Sequence, residues 1–186
     1  MKTVKIIGVF TLTIILSLNG YSQDKYKLNK GEVSFFSYAP LENIEAFNKK
    51  PAGLIDIHSK KFIFKINIRD FIFKSSLMQE HFNENYMETE KYPYSSFKGN
   101  IIGDINLAKD GEYRVISKGE LTIHGITKVV EIPSLITVKG SEIRLLSEFK
   151  IRLEDYKVEV PTIVIEKIAE VVDVKIISSL TLLEKK

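Results

Sequence analysis

Residues 142–153 read EIRLLSEFKIRL, and the fold follows from how that stretch distributes its side chains. Ile143, Leu145, Ser147, Phe149, Ile151 and Leu153 alternate with Glu142, Arg144, Leu146, Glu148, Lys150 and Arg152. A helix would scatter those charges over every face, whereas a strand puts alternate residues on opposite faces and gathers the apolar set on one of them. The same period of two runs outward in both directions. Tyr113, Val115, Ser117, Gly119, Leu121 and Ile123 alternate with mostly polar neighbours. Phe62, Phe64, Ile66 and Ile68 do so earlier, and Val172, Val174, Ile176, Ser178, Leu180 and Leu182 later.

Turn residues punctuate these runs at Asn29-Lys30-Gly31, Lys50-Pro51-Ala52-Gly53, Lys109-Asp110-Gly111, His124-Gly125 and Lys139-Gly140-Ser141. Each supplies a residue tolerant of the backbone that a hairpin needs. The spacing predicts strands near 31–38, 43–48, 53–58, 61–72, 95–107, 112–123, 126–138, 142–153 and 170–183. Eight or nine long antiparallel strands joined by short turns make an all-β chain and suggest a sheet curved into a barrel, with a sandwich as the alternative.

One stretch leaves the pattern. Ser75 or Ser76 can cap a helix over 75–87, on which Leu77, Met78, Phe82 and Tyr86 fall at helical spacing. Pro93 then forces an extended return to the sheet. A single short helix in such a chain can plug one end of a barrel.

At the N-terminus Lys2 and Lys5 precede an apolar run, Ile6 to Leu18, that stops at Asn19-Gly20-Tyr21-Ser22. This is the pattern of a secretory signal peptide over residues 1–22, leaving a single domain over 23–186. The run falls short of the roughly 18 residues that a membrane span takes. The expected location is therefore periplasmic or extracellular, and soluble.

The chain carries 27 Lys and Arg against 24 Asp and Glu, a formal charge of +3, and loss of Lys2 and Lys5 brings it to about +1. No broad positive field is left to attract nucleic acid. With no cysteine, stability must come from burial alone, which some 160 residues supply for one core.

Three segments together resemble the YceI-like family of exported lipid-binding proteins: FIFKSSLMQEHFNENYMETEKYPYSSFKG (71–99), KGELTIHGITKVVEIP (118–133) and SEFKIRLEDYKVEVP (147–161). The first mature residues, Tyr26 to Gly31, do not share the family's Trp- and His-bearing opening strand. The resemblance implies a lipocalin-like, closed eight-stranded antiparallel barrel whose interior takes a long apolar lipid of isoprenoid, quinone or fatty-acyl type. It implies a binder and not an enzyme, with carriage, storage or sensing in the cell envelope as its role and transient contact with membranes.

The residues expected to line the ligand site are Phe62, Phe64, Ile66, Phe71, Leu77, Met78, His81, Phe82, Tyr86, Met87, Phe97, Phe149 and Ile151. Apolar contact alone gives affinity there, at about 0.8 kcal/mol per buried methylene. Nothing in the sequence calls for a metal or a cofactor. Glu80, His81, Glu84, Glu88 and Glu90 form the richest titratable cluster, and a hydrolase or isomerase built on them is the alternative. His124 is expected as an exposed hairpin apex. An outer-membrane barrel is a second alternative. A strand edge left unpaired by incomplete closure would join two copies as a homodimer.

Overall fold

A computed structural model describes residues 25–38, 43–159 and 169–183; the expected signal peptide lies outside them. The described residues form ten strands: β1 (Lys25–Ser37), β2 (Ile44–Asn48), β3 (Ala52–Asp56), β4 (Lys61–Asn67), β5 (Phe71–Phe73), β6 (Tyr94–Ile102), β7 (Gly111–Ile123), β8 (Ile126–Lys139), β9 (Glu142–Arg152) and β10 (Val171–Leu182). One helix, α1 (Ser76–His81), continues into a single wider π turn at Phe82–Tyr86.

The sheet is an antiparallel meander that closes on itself. Its order is β10-β9-β8-β7-β6-β4-β3-β1, and β1 returns to pair with β10. Ten strands reduce to eight rods because two rods are broken. β2 and β3 both pair with β1, through Val33–Ser37 and Lys25–Lys27 respectively, so they are two pieces of one rod. β4 and β5 are likewise one rod, interrupted by a 3-10 turn at Ile68–Asp70 that Asn67 caps by accepting from the Arg69 amide at 3.0 Å.

The expected single strand over 61–72 is therefore two, because a capping Asn at its centre turns the chain. The strand expected over 95–107 stops at Ile102, where Gly103 adopts φ 125°. Asn29-Lys30-Gly31 is not a hairpin but lies inside β1, where the register to β10 shifts between Leu28 and Lys30. A bulge and a tight turn draw on the same residues, so the local sequence does not separate them.

Lys50-Pro51-Ala52-Gly53 is not a hairpin either, since it joins β2 to β3 within one rod; two other local readings hold. At the β7–β8 hairpin Ile123 pairs with Ile126, and the two residues between, His124 and Gly125, have φ 49° and 72°. That is the twist a two-residue hairpin needs. A Cβ on Gly125 would also stand 2.5 Å from the Tyr92 ring. Ser75 caps α1, its hydroxyl accepting from the Met78 amide at 3.4 Å. β1 and β10 pair from Tyr26 to Phe36 and close the ring, while among the described residues the short β5 keeps one side unpaired.

Inward residues fill the half of the barrel nearer the start of β4. Ile55, Phe62, Ile101, Val115, Ile136, Val138, Ile143, Leu145 and Leu180 are all buried there. Phe62 sits opposite Gly99, which in turn faces Gly119, and a Cβ on either glycine would lie 2.1 Å from a carbonyl oxygen of the facing strand. The glycine pair lets the β6 and β7 backbones close up, and the Phe62 ring packs against Phe97 with centroids 4.7 Å apart. Beside it three buried serines link hydroxyl to hydroxyl, Ser117 to Ser134 at 3.0 Å and Ser134 to Ser147 at 2.8 Å.

Candidate ligand cavity

The other half is hollow. Beyond Phe64 and Phe97 the barrel encloses a cavity of about 480 Å³, within the range of small-molecule sites and several times the size of one that holds benzene. It exists because the wall is incomplete there. β5 pairs with β2 alone, and β6 pairs with β4 and β7, so no ladder joins β5 to β6. α1, its π turn and the strap Met87–Pro93 occupy that gap.

The roof is pinned by one aromatic cluster. Phe82 stacks on Phe35 with centroids 5.6 Å apart and touches Phe71 and Phe73 at 5.7 and 4.8 Å. Sequence periodicity explains half of this: Phe71 and Phe73 point inward as alternate residues of β5, and Phe35 does so on β1. The π turn supplies the rest. It is closed by the Met87 amide bonding to the Phe82 carbonyl at 2.9 Å, and the wider turn lets Phe82, Tyr86 and Met87 all contribute to the cavity lining.

Of the thirteen residues expected to line a site, Phe64, Ile66, Phe71, Leu77, Met78, His81, Phe82, Tyr86, Met87, Phe97, Phe149 and Ile151 border this cavity. Phe62 does not. It stands one inward step before Phe64 on β4, below the Phe64–Phe97 floor, and borders a second void of only about 30 Å³. The β1 residues Val33, Phe35 and Ser37 also line the cavity and were absent from the expectation, as were Ile44, Leu121, Ile123, Leu153 and Tyr156. So were Val172, Val174 and Ile176, although their alternation on β10 was legible. Phe35 was hidden by its neighbour Phe36, since two adjacent aromatics blur which face is inside.

The cavity is greasy and its polar points are few. Leu77 and His81 are both exposed and both border it, which marks where it meets solvent. Burial pushes the Tyr86 phenol above its ordinary value, as expected for a hydroxyl set against apolar walls. Ser95 lines the wall one inward step from Phe97, its hydroxyl buried and without a hydrogen-bond partner among the described residues.

The acidic cluster of the strap is dispersed. Glu90 pairs with Arg69 and Glu88 with His124, so neither turns toward His81. His124 is not an exposed apex: only 9% of it is accessible. Its Nε2 lies 2.8 Å from the Glu88 carboxylate and its Nδ1 3.2 Å from the Tyr156 carbonyl, while the Tyr92 ring meets it edge-on at 4.6 Å. Both partners offer acceptor oxygens, so each ring nitrogen lies within hydrogen-bond distance of one. The residue ties the strap to the β7–β8 hairpin and to the 3-10 turn that follows β9. Among the described residues no three His, Asp or Glu side chains gather where they could hold a metal.

Comparison with known proteins agrees with this architecture. The model of the YceI-like domain matches residues 26–179. Among solved structures, BcnA of Burkholderia cenocepacia is similar with a TM-score of 0.67 at 18% identity, over 80% of this chain and 95% of that one. A polyisoprenoid binding domain from Saccharophagus degradans, implicated in plant cell wall breakdown, gives 0.69 at 15% identity over 85% and 98%. The YCEI protein of Campylobacter jejuni gives 0.62 at 18% identity over 80% and 90%. No curated protein matches. At these identities the structural likeness is one of fold.

Proposed function

The chain belongs to the YceI-like family, and on that premise we propose that it binds a long apolar lipid, of isoprenoid, quinone or fatty-acyl type, in the hollow half of its barrel. The observation that carries the reading is the cavity of about 480 Å³ roofed by α1, walled by Phe, Ile, Val and Met and open to solvent beside Leu77 and His81. Each methylene drawn out of water there contributes about 0.8 kcal/mol, so a tail needs no polar anchor to be held. The neighbour named for polyisoprenoid binding supports the class of ligand. The role is carriage, storage or sensing in the cell envelope after export by the N-terminal signal, without catalysis and without a resident cofactor.

The outer wall supports a water-facing barrel over a lipid-facing one. It bears cross-strand ion pairs such as Lys118–Glu131 at 2.8 Å, Lys98–Glu120 at 3.0 Å and Lys150–Asp173 at 2.5 Å. A Lys at mid-bilayer depth costs about 2–4 kcal/mol. Among the described residues, no helix is long and apolar enough to cross a membrane.

The test is organic extraction of the purified native protein followed by mass spectrometry, together with titration of the emptied protein with a fluorescent fatty acid and a prenyl alcohol. A co-purified apolar lipid and saturable uptake are expected. Ile151→Trp, which fills the cavity, should weaken uptake by about tenfold or more, equivalent to about 1.4 kcal/mol. A clean extract with no saturable uptake of either probe overturns the proposal.

A further inference from the structure

The cavity has a mouth and a floor. At the mouth Leu77 and His81 meet solvent; at the floor Phe64, Phe97 and Ile176 border both the cavity and the small void below it. Phe64 and Phe97 are register partners on β4 and β6, and β10, which carries Ile176, lies four rods from β6 whichever way the ring is followed. The floor therefore reaches from one wall to the wall opposite. It is backed from below, since the Phe62 ring stands 4.7 Å from that of Phe97 and 5.5 Å from that of Phe64.

The Phe64 ring lies where it does because a neighbour has no side chain. Gly53 pairs with Phe64 across β3 and β4, and a Cβ on it would stand 2.2 Å from the Phe64 Cδ1 and 2.9 Å from the Leu28 Cδ1. The ring thus leans along the wall over the β3 backbone. Any larger residue at position 53 displaces it, and the open side is the cavity.

Volume sets what fits above the floor. A cavity of about 150 Å³ takes benzene, with its six carbons, so one of about 480 Å³ takes roughly eighteen to twenty. Below the floor only about 30 Å³ remains, roughly the share of one water. A tail that reaches the floor has no room to go on.

We propose, on the reading that the cavity holds a lipid, that the Phe64–Phe97–Ile176 floor is a stop that sets the length of the tail. The ligand is then a single-tailed lipid with roughly eighteen to twenty enclosed carbons, a fatty-acyl chain or an isoprenoid of about four units. Its polar end sits at the mouth beside His81, where water reaches. Two tails overfill the space. A longer polyprenyl tail leaves its surplus outside, where further methylenes stay in water and add nothing to affinity.

Saturated fatty acids of about 12 to 24 carbons, displacing a fluorescent fatty acid from the emptied mature protein, test this. Affinity should climb about fourfold per methylene and level off at roughly eighteen to twenty carbons. Phe64→Ala opens the floor and should carry the break about four carbons or more further. Gly53→Ala pushes the ring into the cavity and should bring the break to shorter chains. An affinity that climbs evenly to the longest acid, or a break that both variants leave in place, overturns the stop while lipid binding stands. Displacement by no acid of any length overturns the lipid reading, and the stop with it.

Discussion

At the end of the barrel where β4 begins, the inward side chains meet and fill the space; at the end where β4 gives way to β5, side chains of the same kind surround a void. Composition does not separate the two halves, since Ile, Val and Phe line both. What separates them is the backbone. In the filled half every rod pairs with both its neighbours, and the facing Gly99 and Gly119 let β6 and β7 close in. In the hollow half both broken rods bend, β5 leaves β6, and a helix stands where a ladder would run. A cavity here is thus a property of strand pairing, and side chains only decide how greasy it is.

The sharpest way to break that contrast is to truncate one ring in each half. Phe62→Ala should cost about 3–5 kcal/mol in urea unfolding, as a core phenylalanine does, and leave lipid uptake in place. Phe149→Ala, whose ring already faces empty space and so has fewer contacts to lose, should cost less than half as much while changing uptake. Equal losses would mean that the two halves are one core. His124→Ala comes next. It strips a buried ring from between Glu88 and Tyr156 and should cost about 1–3 kcal/mol. Amide exchange should quicken over residues 76–92 and stay slow in the β7–β8 ladder; unchanged exchange in the roof would show that the strap is held by other contacts.

Smaller effects sharpen the picture. Ser134→Ala takes the middle hydroxyl from the serine chain of the filled half and should cost about 1 kcal/mol, with uptake unaltered. The smallest is a pH effect confined to the hollow half. Burial raises the folded Tyr86 phenol above the 10.0 of a free one, so the unfolded chain ionises first. The associated stability is whole below pH 10 and lost as the pH climbs past the folded value. Tyr86→Phe should flatten that alkaline decline in a series of melts, and an identical decline in the variant would assign it elsewhere.

Much of the fold was legible because alternation reports a property that each strand carries alone. Residues 142–153 state their inward face without reference to any partner, and His124-Gly125 states its turn through backbone conformation. The cavity lining was readable to the same extent, since inward residues of a strand remain inward whether they meet a neighbour or a void. Two things lay beyond local reading. Phe62 borders the smaller void together with Ile101, Val115 and Ile136 of three other strands, which its own alternation does not name. His124 was buried by Tyr92 and by a carbonyl at Tyr156, neither of which its own hairpin specifies.

One seam holds the ring shut. Seven of the eight junctions join rods adjacent in the chain, but β1 meets β10, where the Ser178 hydroxyl donates to the Lys30 carbonyl at 3.0 Å across 148 positions. Sequence-adjacent ladders can assemble piecemeal, whereas this one bears the entropy of gathering nearly the whole polypeptide into a loop. Until β10 docks, β1 and β9 each present an open row of amides and carbonyls to any passing strand. The molecule is therefore most vulnerable to misassembly in the interval just before its last strand arrives.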